Sequence, residues 1–94
     1  MNLILFSFEL EQADQQEFIQ AVEVLQDHWK EQGFIVSLFL DANQRTRFLQ
    51  TILTEKSVEE LTHLIQNDPY AQAMFDRIRD SESHLVVSYL EQVL

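Results

Sequence analysis

The hydrophobic period of this chain changes in a single order: two, 3.6, two, two, 3.6, two. Residues 3–10, Leu-Ile-Leu-Phe-Ser-Phe-Glu-Leu, are apolar, β-prone and too short for a self-standing helix. Asp14 followed by Glu17 has the form of a capping box, in which a carboxylate takes an orphan amide and Glu17 reaches back. From there Phe18, Ala21, Val22, Leu25 and Trp29 recur at helical spacing, which predicts an amphipathic helix over 14–32. Gly33 suits the left-handed residue that ends it. Residues 34–40 and 47–55 read as strands two and three. Asp41-Ala-Asn-Gln-Arg-Thr supplies turn chemistry between them, so the pair is expected as an antiparallel hairpin. Ser57 with Glu60 is a second capping box, and Val58, Leu61, Leu64 and Ile65 form the apolar stripe of a second helix. Pro69 pushes Asp68 out of helical geometry, yet Asp before Pro also caps a helix restarting at Pro69. That piece carries Ala73, Met74, Phe75 and Ile78 to about Arg79, and residues 84–90 read as the fourth strand.

The order βαββαβ predicts an α+β, ferredoxin-like split-βαβ sandwich: a four-stranded antiparallel sheet with helices on one face. Ninety-four residues suit one domain, 1–94. At this size folding buries roughly 65% of the extended surface, enough for one modest core. In a lone sandwich each strand alternates apolar and polar, because one sheet face meets water. These strands do not. Ile4, Phe6, Phe8 and Leu10 are opposed by Leu3 and Leu5. Phe34, Val36, Leu38 and Leu40 are opposed by Ile35 and Phe39, and Val86 and Leu90 by Leu85, Val87 and Tyr89. A sheet apolar on both faces needs two covers, and two helical regions supply one. The second is expected from another copy of the chain, as a two-fold homodimer packed sheet on sheet.

Sixteen acidic residues against six basic give a net charge of −10, and the cations are scattered as Arg45/Arg47, Arg77/Arg79, Lys30 and Lys56. Such a surface repels phosphate backbones and anionic membranes, so neither nucleic acid nor membrane is expected as partner. The absence of cysteine removes a disulfide scaffold, a thiolate nucleophile and Cys-ligated zinc, and fits a cytoplasmic location. The first ten residues read as a strand rather than a signal peptide. No metal site is expected, because His28, His63 and His84 form no i,i+4 pair. With Gly33 as the one glycine there is no phosphate loop and no Rossmann-type flavin or nicotinamide site. No cofactor is expected. There is no nucleophile elbow, and Glu59-Glu60 is favourable helix N-terminal charge.

Asp41 through Phe48 followed by Leu49-Gln-Thr-Ile-Leu-Thr-Glu, then Ser57-Val-Glu-Glu-Leu-Thr-His63 and Asn67-Asp-Pro-Tyr70-Ala, resemble one branch of the dimeric α/β-barrel superfamily. That branch is the antibiotic-biosynthesis-monooxygenase (ABM) type. The likeness covers most of residues 1–79 in pattern and only 41–75 in detail. Leu53-Thr54 stands where members usually carry Trp at the end of the third strand. Ser7, His63 or Leu64, and Met74 or Phe75 stand near the positions of the haem-degrading members' Asn, Trp and His, so that constellation is absent. The resemblance implies a cofactor-independent monooxygenase acting on a small aromatic or polyketide-like substrate. The substrate is then its own reductant, and the protein supplies burial and one proton acceptor. The alternative is a non-catalytic dimeric module of the same fold, binding a small apolar or aromatic ligand or serving a stress or regulatory role.

His63 is the first candidate proton acceptor, since a neutral imidazole takes a proton from a phenol near working pH. Its plain alternative is a rim histidine with a satisfied hydrogen bond. Tyr70, after the helix break, is the second candidate, against a packing role. Phe6, Phe8, Trp29, Phe34, Met74 and Phe75 are expected to line a cavity between sheet and helices, with core packing as the alternative. A layer filled by Phe6, Phe8, Phe34 and Phe39 favours the non-catalytic module. His84 and Tyr89 are placed on strand four, Tyr89 at the dimer seam. His28 is expected on the solvent flank, and Asn67 and Asp68 read as turn chemistry.

Overall fold

The structure is a computed structural model that describes residues 1–80 and 84–94. Strand β1 (Asn2–Glu9) leads into helix α1 (Gln12–Lys30). Strands β2 (Ile35–Leu40) and β3 (Arg47–Thr54) form the hairpin. Helices α2 (Val58–Asn67) and α3 (Pro69–Asp80) precede strand β4 (Val86–Glu91). The four strands make one antiparallel sheet in the order β2-β3-β1-β4, the ferredoxin-like order expected for βαββαβ.

Local chemistry sets most boundaries. Gly33 has φ +86°, the left-handed conformation that turns the chain from α1 into β2. Asp41 Oδ1 accepts from the amides of Asn43 (2.8 Å) and Gln44 (3.2 Å), closing the hairpin turn. Those two amides hold its carboxyl below the ordinary aspartate value. Ser57 Oγ accepts from the Glu60 amide at 3.2 Å, the backbone half of the second capping box. Two boundaries and one helix face differ from the sequence reading. Helix α1 begins at Gln12 with Glu11 at the cap position, so Asp14 sits in the first turn, its own amide bonded to the Glu11 carbonyl. Its charge there still favours the positive helix end. On α3 the chain turns Ala71 inward and Ala73 outward, since Ala71, Met74 and Ile78 hold the i, i+3, i+7 face. Strand β4 starts at Val86, so His84 lies ahead of it, exposed.

Register decides which residues meet the helices. Phe6 stands opposite Gln50, and Gln50 opposite Leu38, so these three share the covered face with Ile4, Phe8, Phe48, Ile52 and Val36. The core lies between that face and the helices. Phe8 packs edge-on to Phe18 at 5.1 Å between ring centroids and stacks near Phe48 at 6.0 Å. Each such contact adds roughly 0.5–1.5 kcal/mol to burial. Phe6, Phe8, Trp29, Phe34 and Met74 are buried here and Phe75 packs against them, so these side chains fill the layer. Phe39 instead lies on the opposite face, since it pairs with Leu49 while Leu38 pairs with Gln50. That open face carries Leu3, Leu5, Leu49, Leu53, Ile35, Phe39, Val86 and Leu90, with Ile35 and Phe39 each 56% exposed.

Candidate functional site

The place where unlike chemistry converges is the junction between the end of α1 and the start of α3. Asp68 stands between α2 and α3 in extended conformation, as its following proline requires, and is only 7% exposed. Its Oδ1 accepts from the amides of Tyr70 (2.8 Å) and Ala71 (3.2 Å), which caps α3. Its Oδ2 accepts from the indole Nε1 of Trp29 at 2.5 Å. The same Oδ2 lies 3.4 Å from His28 Nε2, and the His28 and Tyr70 rings approach to 4.4 Å between centroids. Burial pushes the Asp68 carboxyl up. The Trp29 hydrogen bond, the Ala71 and Tyr70 amides and the His28 charge together outweigh it, so the carboxyl lies below the ordinary aspartate value. The carboxylate therefore stays ionised through the neutral range, with three donors and an imidazole around it.

Helical geometry brings these groups together. Trp29 lies on the buried stripe of α1, four residues after Leu25, and Phe34 packs on its indole at 4.9 Å. His28, one position back, falls at the margin of that stripe with a side chain 38% exposed. Tyr70 occupies the first turn of α3, partly exposed. A buried carboxylate 3.4 Å from one imidazole nitrogen, beside the ring of an exposed tyrosine, is an arrangement able to receive a proton from an approaching ligand.

The sequence candidates distribute differently. Tyr70 belongs to this cluster. His63 does not: on α2 the inward face is carried by Leu61 with Leu64 and Ile65, while His63 is exposed, its Nδ1 3.5 Å from Asn67 Nδ2. Tyr89, expected at the dimer seam, instead pairs with Ile4 and so stands on the helix-facing side of edge strand β4, half-exposed. His28 and Asp68 were readable only as a flank residue and a turn residue. Asp68 meets His28 and Trp29 across about 40 positions of sequence, Trp29 being 39 from it, and no local pattern marks that pairing. Gln50 carried no signal either. It is fully buried on β3, its Nε2 is 3.0 Å from Met74 Sδ, and its Oε1 has no donor among the described residues.

Among the described residues no group of three or more His, Asp or Glu side chains is placed to hold a metal ion, and no helix is long and apolar enough to cross a membrane. No protein-family model and no curated protein matches the chain. Solved structures do. A candidate antibiotic biosynthesis monooxygenase from Nitrosomonas europaea superposes with TM-score 0.80 at 12% identity, covering 100% of both chains. One from Deinococcus radiodurans gives TM-score 0.78 at 16% identity, covering 98% of this chain and 92% of that one. SnoaB, a cofactor-independent oxygenase from Streptomyces nogalater, gives 0.71 at 14% identity, covering 99% and 93%. The fold of this chain is that of the antibiotic biosynthesis monooxygenase (ABM) domain proteins.

Proposed function

We propose that this chain acts as a homodimer with cofactor-independent monooxygenase-type chemistry on a small aromatic substrate bearing an acidic hydroxyl, and that its proton acceptor is His28 rather than His63. The observation that carries this reading is the 3.4 Å approach of His28 Nε2 to the buried Asp68 carboxylate. A carboxylate on one imidazole nitrogen favours the tautomer with its proton there and leaves Nδ1 to accept another. The Tyr70 ring flanks the imidazole. In this reading dioxygen is the oxidant, the deprotonated substrate supplies the electrons, and the protein orients the substrate and takes its hydroxyl proton. The shared fold with proteins bearing oxygenase names supports it. The test is dioxygen uptake by the purified protein with a panel of hydroquinones and hydroxylated polycyclic phenols. His28→Ala should lower turnover by about 10²–10⁴, and His63→Ala should leave it unchanged. Equal turnover by His28→Ala and the parent overturns the assignment.

The dimer is supported by the open sheet face. Leu3, Leu53, Ile35 and Leu90 lie in one row across four strands, and Phe39, Leu49 and Val86 occupy another. So broad an apolar surface marks an interface, and a second copy offers the same surface by symmetry. Sedimentation at micromolar concentration should give about twice 11.1 kDa, and Phe39→Glu should shift the population toward monomer. A folded monomer for the parent chain removes the sheet-on-sheet arrangement.

A second reading, the non-catalytic dimeric module, is favoured by Phe6, Phe8 and Phe34 filling the layer between sheet and helices. Dioxygen uptake at the buffer rate across the whole panel selects it.

A further inference from the structure

We infer that the outer edge of β2 docks an extended segment of another protein, one carrying lysine or arginine at alternate positions and joining the sheet as an antiparallel fifth strand beside α1. β2 is an edge strand in the order β2-β3-β1-β4. Asp41 continues its ladder by donating to the Arg47 carbonyl at 2.9 Å, so by alternation Ile35, Ser37 and Phe39 turn their backbone groups to β3. Val36, Leu38 and Leu40 turn theirs outward. The Val36 carbonyl agrees with this phase, since it accepts from Gln26 Nε2 at 2.8 Å. That is the one hydrogen bond made to the outer edge among the described residues, and the outward N–H and C=O groups of Leu38 and Leu40 have no protein partner there. Folded sheets normally blunt such an edge with a charge, a proline or a bulge. Residues 35–40, Ile-Val-Ser-Leu-Phe-Leu, contain no charge and no proline, and their register with β3 runs without a bulge.

The flank of the edge states the partner's side chains. A strand added antiparallel places its residues opposite Leu38 and Leu40 on the same sheet face as those two, toward α1. Two hollows lie there, with Gln26 in the wall of both. One, of about 290 Å³, has apolar walls from Ile19, Val22, Leu38 and Phe48, with Glu23 in its lining. The other, of about 310 Å³, sets Phe34 and Val36 against Asp27. Apolar walls beside a carboxylate suit a long aliphatic stem that ends in a cation. Glu23 and Asp27 form no ion pair among the described residues, and a net charge of −10 draws a cationic partner. Lys30, one turn after Gln26, lines the second hollow and opposes a further cation there, which confines the basic positions to those opposite Leu38 and Leu40. The chain itself offers no such segment. Arg45 and Arg47 flank the β2–β3 turn, with Arg47 on Asp41, and Arg77 and Arg79 belong to α3. The occupant is therefore a foreign chain rather than a second copy. The groove is apart from the open sheet face and from the His28–Asp68 junction, so the inference does not rest on the oxygenase reading.

The test uses the full chain and a fluorescent, capped peptide, Thr-Val-Lys-Val-Lys-Val-Thr, followed by anisotropy and by backbone hydrogen exchange. The expected result is saturable binding that weakens as salt rises, with the Leu38 and Leu40 amides exchanging fast in the free protein and slowly in the complex. N-methylation of the two lysines removes the donors that face β2 and should weaken binding by about tenfold or more, whereas N-methylation of the valines should not. Glu23→Gln combined with Asp27→Asn, both exposed on α1, should weaken binding about fivefold with the melting temperature unchanged. The same peptide with glutamate for lysine should not bind. Failure of the lysine peptide to bind overturns the inference, as does equal binding of the glutamate peptide, equal loss from methylating lysines and valines, or undiminished affinity in the doubly substituted chain. Leu38 and Leu40 amides already slow to exchange in the free protein also overturn it, because a second copy then holds the edge.

Discussion

Trp29 donates its indole hydrogen to the carboxylate of Asp68 across 39 positions of sequence, and the same carboxylate caps helix α3. One side chain thus joins the end of α1 to the start of α3. Asp68→Ala removes both functions and leaves the buried indole without an acceptor. Loss of the cap costs about 1 kcal/mol and the unpaired buried donor roughly 1–3 kcal/mol more. Asp68→Asn keeps the cap through its one amide oxygen but turns an NH2 donor toward the Trp29 indole, so it should cost less than Asp68→Ala by about the worth of the cap alone. Urea unfolding followed through Trp29, the one tryptophan of the chain, reads both variants directly. Equal stability of parent and Asp68→Ala contradicts the clamp.

The lowered Asp68 carboxyl gives the clamp a definite pH dependence. In the unfolded chain an aspartate titrates near about 3.9, above the value Asp68 has when folded. As pH falls the unfolded state takes up its proton first, so the contribution is whole above about pH 5. It declines through the unfolded value and is gone below the folded one. The stability difference between parent and Asp68→Asn should therefore be largest at neutral pH and shrink below about pH 4. A difference constant from pH 7 to pH 3 contradicts the ionised carboxylate.

Gly33→Ala should destabilise by about 1 kcal/mol although there is room for the methyl group. Nothing lies within 4 Å of a Cβ built there, so the cost comes from the backbone at φ +86° alone. A thermal melt measures it. An unchanged melting temperature means the turn relaxes to a negative φ.

Ser57→Ala should cost about 1 kcal/mol, because the Glu60 amide loses its 3.2 Å acceptor at the start of α2. His63→Ala, two turns along the same helix, should stay within about 0.5 kcal/mol, since its ring is exposed. Chemical denaturation of the two variants side by side separates a cap from a surface position. A larger loss for His63→Ala shows that the ring takes part in packing.

The element order, the turn glycine, the hairpin, the Ser57 cap and the break at Asp68-Pro69 were all legible in the sequence. Each depends on neighbours within a few residues: a hydrophobic period, a capping side chain, or a backbone angle allowed to glycine or imposed by proline. The apolar doubling of the sheet faces was legible for the same reason, because alternation along a strand is local. The candidate site was not. His63 has the helical spacing of a sheet-facing residue only if the apolar stripe is centred between Leu61 and Leu64, and packing of α2 through Leu61, Leu64 and Ile65 rotates it outward. His28 and Asp68 acquire each other only when α1 and α3 lie side by side, and Gln50 becomes a buried amide only when register sets it between Leu38 and Phe6. Periodicity assigns a residue to a face. Which distant side chain waits there depends on how the layers close, and only the tertiary structure decides that.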